Sequence, residues 1–313
     1  NPNDFDAIRS LTGTRRILLI EDNCESMGAT FAGRQAGTFG VMGTFSTFFS
    51  HHISTMEGGL VVTDDEELYH ILLALRAHGW TRDLPRWNRV TGEKGEDPFE
   101  ESFRFVLPGY NLRPLEMSGA LGRAQLEKLP RLVAARRENG ARWVEAMTDH
   151  PLFRIQREIG ESSWFGFALV LRPECGLGRR EVLARLGALG FETRPIVSGN
   201  FTGNPVLRLM DHSLHGPMTH ADEIDRNGFF IGNHPHDMRD AIRILARFPG
   251  SAAGRWTCRP GLVRIGAGVS GGRSWVQSGQ GGSARRSWWS PWARGPLSWP
   301  GPNRRARRRR CRR

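Results

Sequence analysis

Residues 50–59 read Ser-His-His-Ile-Ser-Thr-Met-Glu-Gly-Gly and run into the apolar stretch Leu60-Val61-Val62-Thr63. His51 stands seven residues before Gly58 and His52 six. An imidazole titrates near neutrality, so it can take up and return protons in one catalytic cycle. It cannot form an imine with a carbonyl, as a lysine could. Lysine is scarce: the chain has only Lys94, in a polar stretch, and Lys128, in an amphipathic one. Taken alone, a single histidine is more often a packed or surface residue than a base.

Upstream, the apolar run Ile17-Leu18-Leu19-Ile20 ends in Glu21-Asp22, the pattern of a buried parallel strand whose polar end reaches a site. Asp22 could equally cap the following turn. Glu25 follows three residues later and fits a solvent-facing helix position as well as a site. Ser46 lies five residues before His51, and its hydroxyl can donate to a phosphate without adding charge. His78 and Arg82 occur in Ala-His-Gly-Trp-Thr-Arg-Asp-Leu-Pro, where an arginine fork suits a diphosphate and a solvated loop charge fits equally. Asn111 follows Gly109-Tyr110, with the glycine free for close backbone approach.

The stretches IEDNCESMGATF, GTFSTFFSHHISTMEGG, RAHGWTRDLP, SFRFVLPGYNLRPLEMSGALG, GESSWFGF and ETRPIVSGNF together resemble the DegT/DnrJ/EryC1/StrS family of sugar aminotransferases over residues 1–248. The resemblance implies an α/β chain with a partial fold-type I, aspartate aminotransferase-like architecture: a remnant of the large cofactor-binding domain over 1–145 and a small C-terminal α/β domain over 146–248. It implies pyridoxal or pyridoxamine 5′-phosphate as cofactor. Asp22 would pair with the pyridine nitrogen, Glu25 with the ring hydroxyl, and Ser46 with the phosphate. Asn111 would reach the cofactor of a second subunit, which implies a homodimer. His78 and Arg82 would contact a nucleotide sugar. His51 replaces the family's cofactor-binding lysine, so the resemblance implies loss of the C3 hydroxyl of a GDP-linked 4-keto-6-deoxyhexose, with L-glutamate supplying the amine that regenerates the cofactor. The product class would be a dideoxy sugar of surface polysaccharide. A sugar 4-aminotransferase is the alternative.

A related subclass couples the same histidine to a [2Fe–2S] cluster. Cys24 stands where one ligand would be, but residues 76–85 hold no cysteine, so no metal is expected. Nor does the spacing of Cys24, Cys175, Cys258 and Cys311 suit zinc or a disulfide framework. No apolar run approaches a membrane span, and a cytoplasmic location is expected.

The formal charge of +12 is unevenly placed. Residues 241–313 hold seventeen arginines and no acid, while the first 240 residues hold 27 basic and 32 acidic side chains. From residue 249 the chain is rich in Gly, Ser, Arg and Trp, without helical or strand period. Such a tail reads as disordered or as the product of a slipped reading frame. It also admits a second function, nucleic-acid binding through phosphate contacts and tryptophan stacking. The chain opens on Asn1, and the family's Gly-Ser-Thr phosphate loop would lie upstream. The reading is therefore of a fragment that binds cofactor poorly and is inactive by itself.

The elements needed to position these residues follow from periodicity. Helices are expected over 1–16, after Asp64-Asp65, over 114–143 with a break near Pro130, and over 179–190, 220–227 and from 237. Strands are expected at 17–20, 40–49, 60–63, 165–171 and 192–197, with a long loop over 80–99.

Overall fold

Asp4 accepts a hydrogen bond from Ala7 N at 3.0 Å and so starts the first helix, α1 (Phe5–Arg15). The structure is a computed structural model that describes residues 1–248. The expectations for 249–313, whether a disordered or frameshifted tail or a nucleic-acid contact, lie outside the described residues.

After α1 come the strand β1 (Ile20–Asp22), a small antiparallel pair β2 (Thr30–Phe31) and β3 (Arg34–Gln35), then β4 (Met42–Ser46) and β5 (Gly59–Val62). The first sheet has the order β1-β4-β5, with β1 parallel and β5 antiparallel to β4. The expected strand at 17–20 is displaced: β1 begins at Ile20, and Ile17, Leu18 and Ile20 are exposed. Its one buried residue is Glu21, whose carboxylate accepts from Gly37 N and Gly40 N at 2.6 Å each. Two main-chain donors compensate the cost of burying that carboxylate.

Helix α2 (Glu66–Leu75) is capped by Asp65, which accepts from Leu68 N at 3.0 Å, and it carries Glu66 and Glu67 in its first turn. The stretch expected to be a long loop contains a hairpin, β6 (Trp87–Asn88) with β7 (Gly92–Glu93), and a short helix α3 (Pro98–Glu101). Asn88 makes the hairpin: its Oδ1 accepts from Val90 N and Thr91 N, and Gly92 supplies a φ of 76°. Helices α4 (Glu116–Leu126) and α5 (Leu129–Met147) break just before Pro130, at the expected place.

Beyond α5 lie β8 (Phe153–Ile155), β9 (Gly166–Leu171), α6 (Arg179–Ala188), α7 (Thr219–Asn227), β10 (Gly228–Gly232) and α8 (Arg239–Ala246). The strands form an antiparallel sheet of order β10-β9-β8. Along β9 the residues alternate inward and outward, with Phe167, Leu169 and Leu171 buried against Trp143 and Met147 of α5, Val182 and Leu186 of α6, and Ile242 and Leu245 of α8. The strand expected at 192–197 is absent. Arg194 makes one isolated bridge with Phe230, Pro195 has no N–H to extend it, and Val197 turns away at φ 46°. No helix among the described residues is long and apolar enough to cross a membrane.

Candidate active site

The pairing of β4 with β5 aligns Ser46 with Gly59 and so closes the intervening loop, residues 47–58, at its base. Thr47 N donates to Gly58 O at 3.0 Å, Thr55 N donates to Thr47 O at 2.8 Å, and the two threonine hydroxyls lie 2.7 Å apart. Gly58 adopts φ 138°, and a Cβ there would meet both hydroxyls at about 3 Å. The Glu-Gly-Gly end of the motif is therefore a conformational requirement of the loop that presents the histidines.

The two histidines differ sharply. His52 is buried, and its Nε2 lies 3.2 Å from Ser163 O. A carbonyl only accepts, so Nε2 carries the proton. Nδ1 is buried without a partner, and protonating it would leave an N–H with no acceptor. Burial, reinforced by the Arg136 charge, depresses His52 to about 3. His51 is half-buried. Burial lowers its pKa, the Phe48 carbonyl opposes that, and Arg136 adds to it. Its ring packs 5.2 Å from that of Phe165. Of the pair, His51 is the imidazole with access to solvent.

Asp22 ends β1 opposite Thr44, and Ser46 lies two residues further along β4, so Asp22, Thr44 and Ser46 share one face of the sheet. Asp22 is exposed. Hydrogen bonds from Cys24, and one from Thr44, hold its carboxyl below the ordinary range. The bond from Cys24 N is also the turn cap expected of an aspartate at this place. Glu25 is open to solvent at its surface, while the surrounding protein and the Asp22 charge raise it. Ser46 Oγ accepts from Phe48 N at 3.2 Å, which ties it to the start of the histidine loop.

The other three candidates gather elsewhere. Arg82 and Asn111 line a groove of about 470 Å³ with Arg76, Trp80 and Arg113, while Asp22, Glu25, Ser46 and His51 are not among its lining residues. The Arg82 guanidinium stacks 3.9 Å above the Trp80 ring. His78 is exposed at φ 63°, beside the bridge that joins Ala77 to Asn111. A Cβ on Gly109 would collide with the backbone of His78 and Gly79, so close backbone approach is what the glycine provides there. Among the described residues, no group of three or more His, Cys, Asp or Glu is arranged to hold a metal ion.

Sequence reasoning missed Glu21, Arg136, Ser163, Phe165, Trp80 and the flanking Arg76 and Arg113. Arg136 had a readable signal: with Val133, Gly140, Trp143 and Met147 it falls on the buried stripe of α5.

The DegT/DnrJ/EryC1/StrS aminotransferase family matches residues 1–247, and the chain belongs to that family. Two relatives are the GDP-4-keto-6-deoxy-D-mannose 3-dehydratases of Escherichia coli O55:H7, 56% identical, and Yersinia pseudotuberculosis, 58% identical. Each alignment runs over 246 residues, 78% of this chain. The chain spans 63% of the length of each. The E. coli enzyme has been solved with bound hydrated PLP; it is 56% identical at a TM-score of 0.77, over 79% of this chain and 64% of that one. A GDP-4-keto-6-deoxymannose-3-dehydratase structure with a trapped PLP-glutamate geminal diamine is 55% identical at the same TM-score, over 79% of this chain and 64% of that one. The described region thus has the fold-type I aminotransferase fold.

Proposed function

We propose that this chain carries the catalytic loop of a pyridoxamine phosphate-dependent 3-dehydratase that removes the C3 hydroxyl of GDP-4-keto-6-deoxy-D-mannose. The observation that carries the reading is His51: a half-buried imidazole, biased toward its neutral form, where the family has a cofactor-binding lysine. The donor set fits the cofactor. Asp22 is an ionised carboxylate at a strand end, and the Ser46 hydroxyl lies on the same sheet face.

The cofactor, when bound, supplies a ring that withdraws electrons from the reacting carbons. Asp22 would keep the ring nitrogen charged, Glu25 would hydrogen-bond the ring hydroxyl, and Ser46 would hold the phosphate. His51 would accept a proton and then deliver one to the departing C3 hydroxyl. Unlike a lysine, it would not hold the cofactor covalently. His78 and Arg82 would contact the nucleotide sugar, and the three arginines of the groove suit its diphosphate. Asn111 would reach the cofactor phosphate of a second copy in a cytoplasmic homodimer. L-Glutamate would supply the amine, in keeping with the PLP-glutamate species trapped in a relative. The dideoxy sugar formed would enter colitose-type O-antigen synthesis.

The test is incubation of the full chain with GDP-4-keto-6-deoxy-D-mannose, pyridoxamine phosphate and L-glutamate, read by mass spectrometry. Loss of the C3 oxygen, abolished in His51→Asn, would support the reading and overturn the expectation that the chain is inactive by itself. An aminated, fully hydroxylated sugar would instead identify a 4-aminotransferase. No conversion by a folded chain would overturn the reading for this polypeptide.

A further inference from the structure

Behind the histidine loop lies a buried cluster of polar groups that the proposed chemistry does not use. Arg136, on the inner stripe of α5, is 5% exposed and has no carboxylate partner among the described residues. Its Nη1 donates to Phe165 O at 3.3 Å and to Asn233 O. Asn233 donates back to Arg136 O at 3.0 Å and to Trp164 O at 2.8 Å. Arg137, next on the helix, donates to Ser162 O at 3.1 Å. The main chain from Ser162 to Phe165 is therefore gripped on several carbonyls, and it holds Trp164 at φ 49° against Gly140.

That gripped segment forms one wall of the loop. Ser163 O accepts a hydrogen bond from His52 Nε2, and the Phe165 ring lies 5.2 Å from the His51 ring and 5.8 Å from that of His52. His51 Nδ1, His52 Nδ1, Arg136 Nε and Ser163 Oγ are all buried without partners. Burial pushes the guanidinium down only to about 10, so Arg136 stays charged at neutral pH. Its charge acts on His51, His52 and His234 together, and every one of these effects disfavours an imidazolium.

We infer that Arg136 and Phe165 are positioning residues for His51: Arg136 clamps the Phe165 carbonyl, Phe165 sets its ring against the imidazole, and the buried guanidinium places a positive charge without a carboxylate partner behind that wall. Burial is the leading influence that lowers the His51 pKa; the neutral Phe48 carbonyl opposes it, and Arg136 from α5 is the charged group that adds to it. His234 faces Arg136 from beyond β10, with His236 beside it and Glu192 acting in the opposite sense. A guanidinium in this setting is weakly screened by solvent, so its effect survives salt that would erase a surface charge. The value of a neutral His51 to catalysis rests on the dehydratase reading; its positioning does not.

The test needs neither cofactor nor substrate. Imidazole signals of the full chain, labelled with 15N at histidine, are titrated by NMR, with His51 assigned by loss of its signal in His51→Asn. Arg136→Gln keeps a donor for the Phe165 carbonyl and removes the charge, so the His51 midpoint is expected to rise. Arg136→Lys keeps the charge and should restore the low midpoint. A folded Gln variant that titrates like the wild type, or Gln and Lys variants that shift alike, would overturn the assignment. If Arg136→Gln does not fold, Phe165→Leu carries the test, because it keeps the gripped carbonyl. The His51 protons should lose the ring-current displacement due to Phe165 and keep that due to Phe48, and unchanged His51 shifts would overturn the inference. Failure of the sugar assay with success here would reject the dehydratase reading and leave the positioning intact.

Discussion

The two three-stranded sheets are built from similar apolar runs and meet opposite fates. In β9, Phe167 and Leu169 are fully buried, whereas in β5 Val61 is 50% exposed and its neighbours Leu60 and Val62 are also open. The difference lies in the helices. The β10-β9-β8 sheet is covered by α5, α6 and α8, whose inward residues interdigitate with its own. The β1-β4-β5 sheet has only a small cluster nearby, in which Phe5 stacks on Phe39 at 4.1 Å with Ala29 and Ala36 around them. Its order comes from polar devices instead: Glu21 holding Gly37 and Gly40, the threonine pair closing the histidine loop, and a seam to the second region. At that seam Thr30 and Glu161 pair through both main chains, and Arg137 spans from Gly28 O to Ser162 O. One region stores hydrophobic stability, and the other carries Asp22, Ser46 and the histidine loop on a frame fastened to it.

The sharpest way to break this comparison is to open the stable core. Phe167→Ala removes a fully buried ring stacked 4.5 Å from Trp143, and a loss of about 3–5 kcal/mol in denaturant unfolding is expected. A loss below about 1 kcal/mol would mean that the second sheet does not carry the stability assigned to it.

Next is the seam, read through pH. His52 binds a proton readily once unfolded but not when folded, so below about 6.5 the unfolded state holds the extra proton. Its stabilising effect is complete above that value and is lost as pH falls toward its folded value of about 3. The slope contributed is at most about 1.4 kcal/mol per pH unit. His52→Asn should flatten the stability profile between pH 6 and 4 relative to wild type, and parallel profiles would detach His52 from the seam.

A smaller effect is expected at Gly140. A Cβ there would lie 2.6 Å from three atoms of the Trp164 ring. Overpacking costs about 1–3 kcal/mol, against roughly 1 kcal/mol gained in helix propensity. Gly140→Ala should therefore be mildly destabilising by thermal unfolding, and a stabilised variant would show that Trp164 can move. The smallest effect belongs to the open sheet. Val61→Thr, on β5, should change stability by less than about 0.5 kcal/mol. A larger loss would reveal cover over that face.

Much of the fold was legible. Asp65 with two glutamates announced α2, Pro130 marked the break before α5, and alternating Phe167, Leu169 and Leu171 announced β9, because capping and periodicity are properties of neighbours in the chain. The strand read at 192–197 failed for want of a partner: Arg194 and Phe230 make one bridge, and no local pattern reports whether a second will form. The continuous apolarity of 17–20 predicts cover on both faces, yet the buried residue of β1 is Glu21. Within the candidate site, Asp22, Ser46 and His51 are singled out by the family resemblance, because position alone fits each to an ordinary structural role as well. That Arg82 and Asn111 would share a groove followed only once the Ala77–Asn111 bridge had folded one segment over the other.

The sequence by itself determined the chemistry on offer: an imidazole where the family carries a lysine, a carboxylate at a strand end, and glycines that let a loop close behind them. These depend on residue type and short spacing, which the chain carries in any conformation. Only the tertiary structure decided which of two adjacent histidines is locked and which is open, and that an arginine 85 residues beyond His51 lies within reach of both. Burial and weakly screened charge depend on which surfaces meet, and side chains far apart in sequence share them only after the second region has packed against the first.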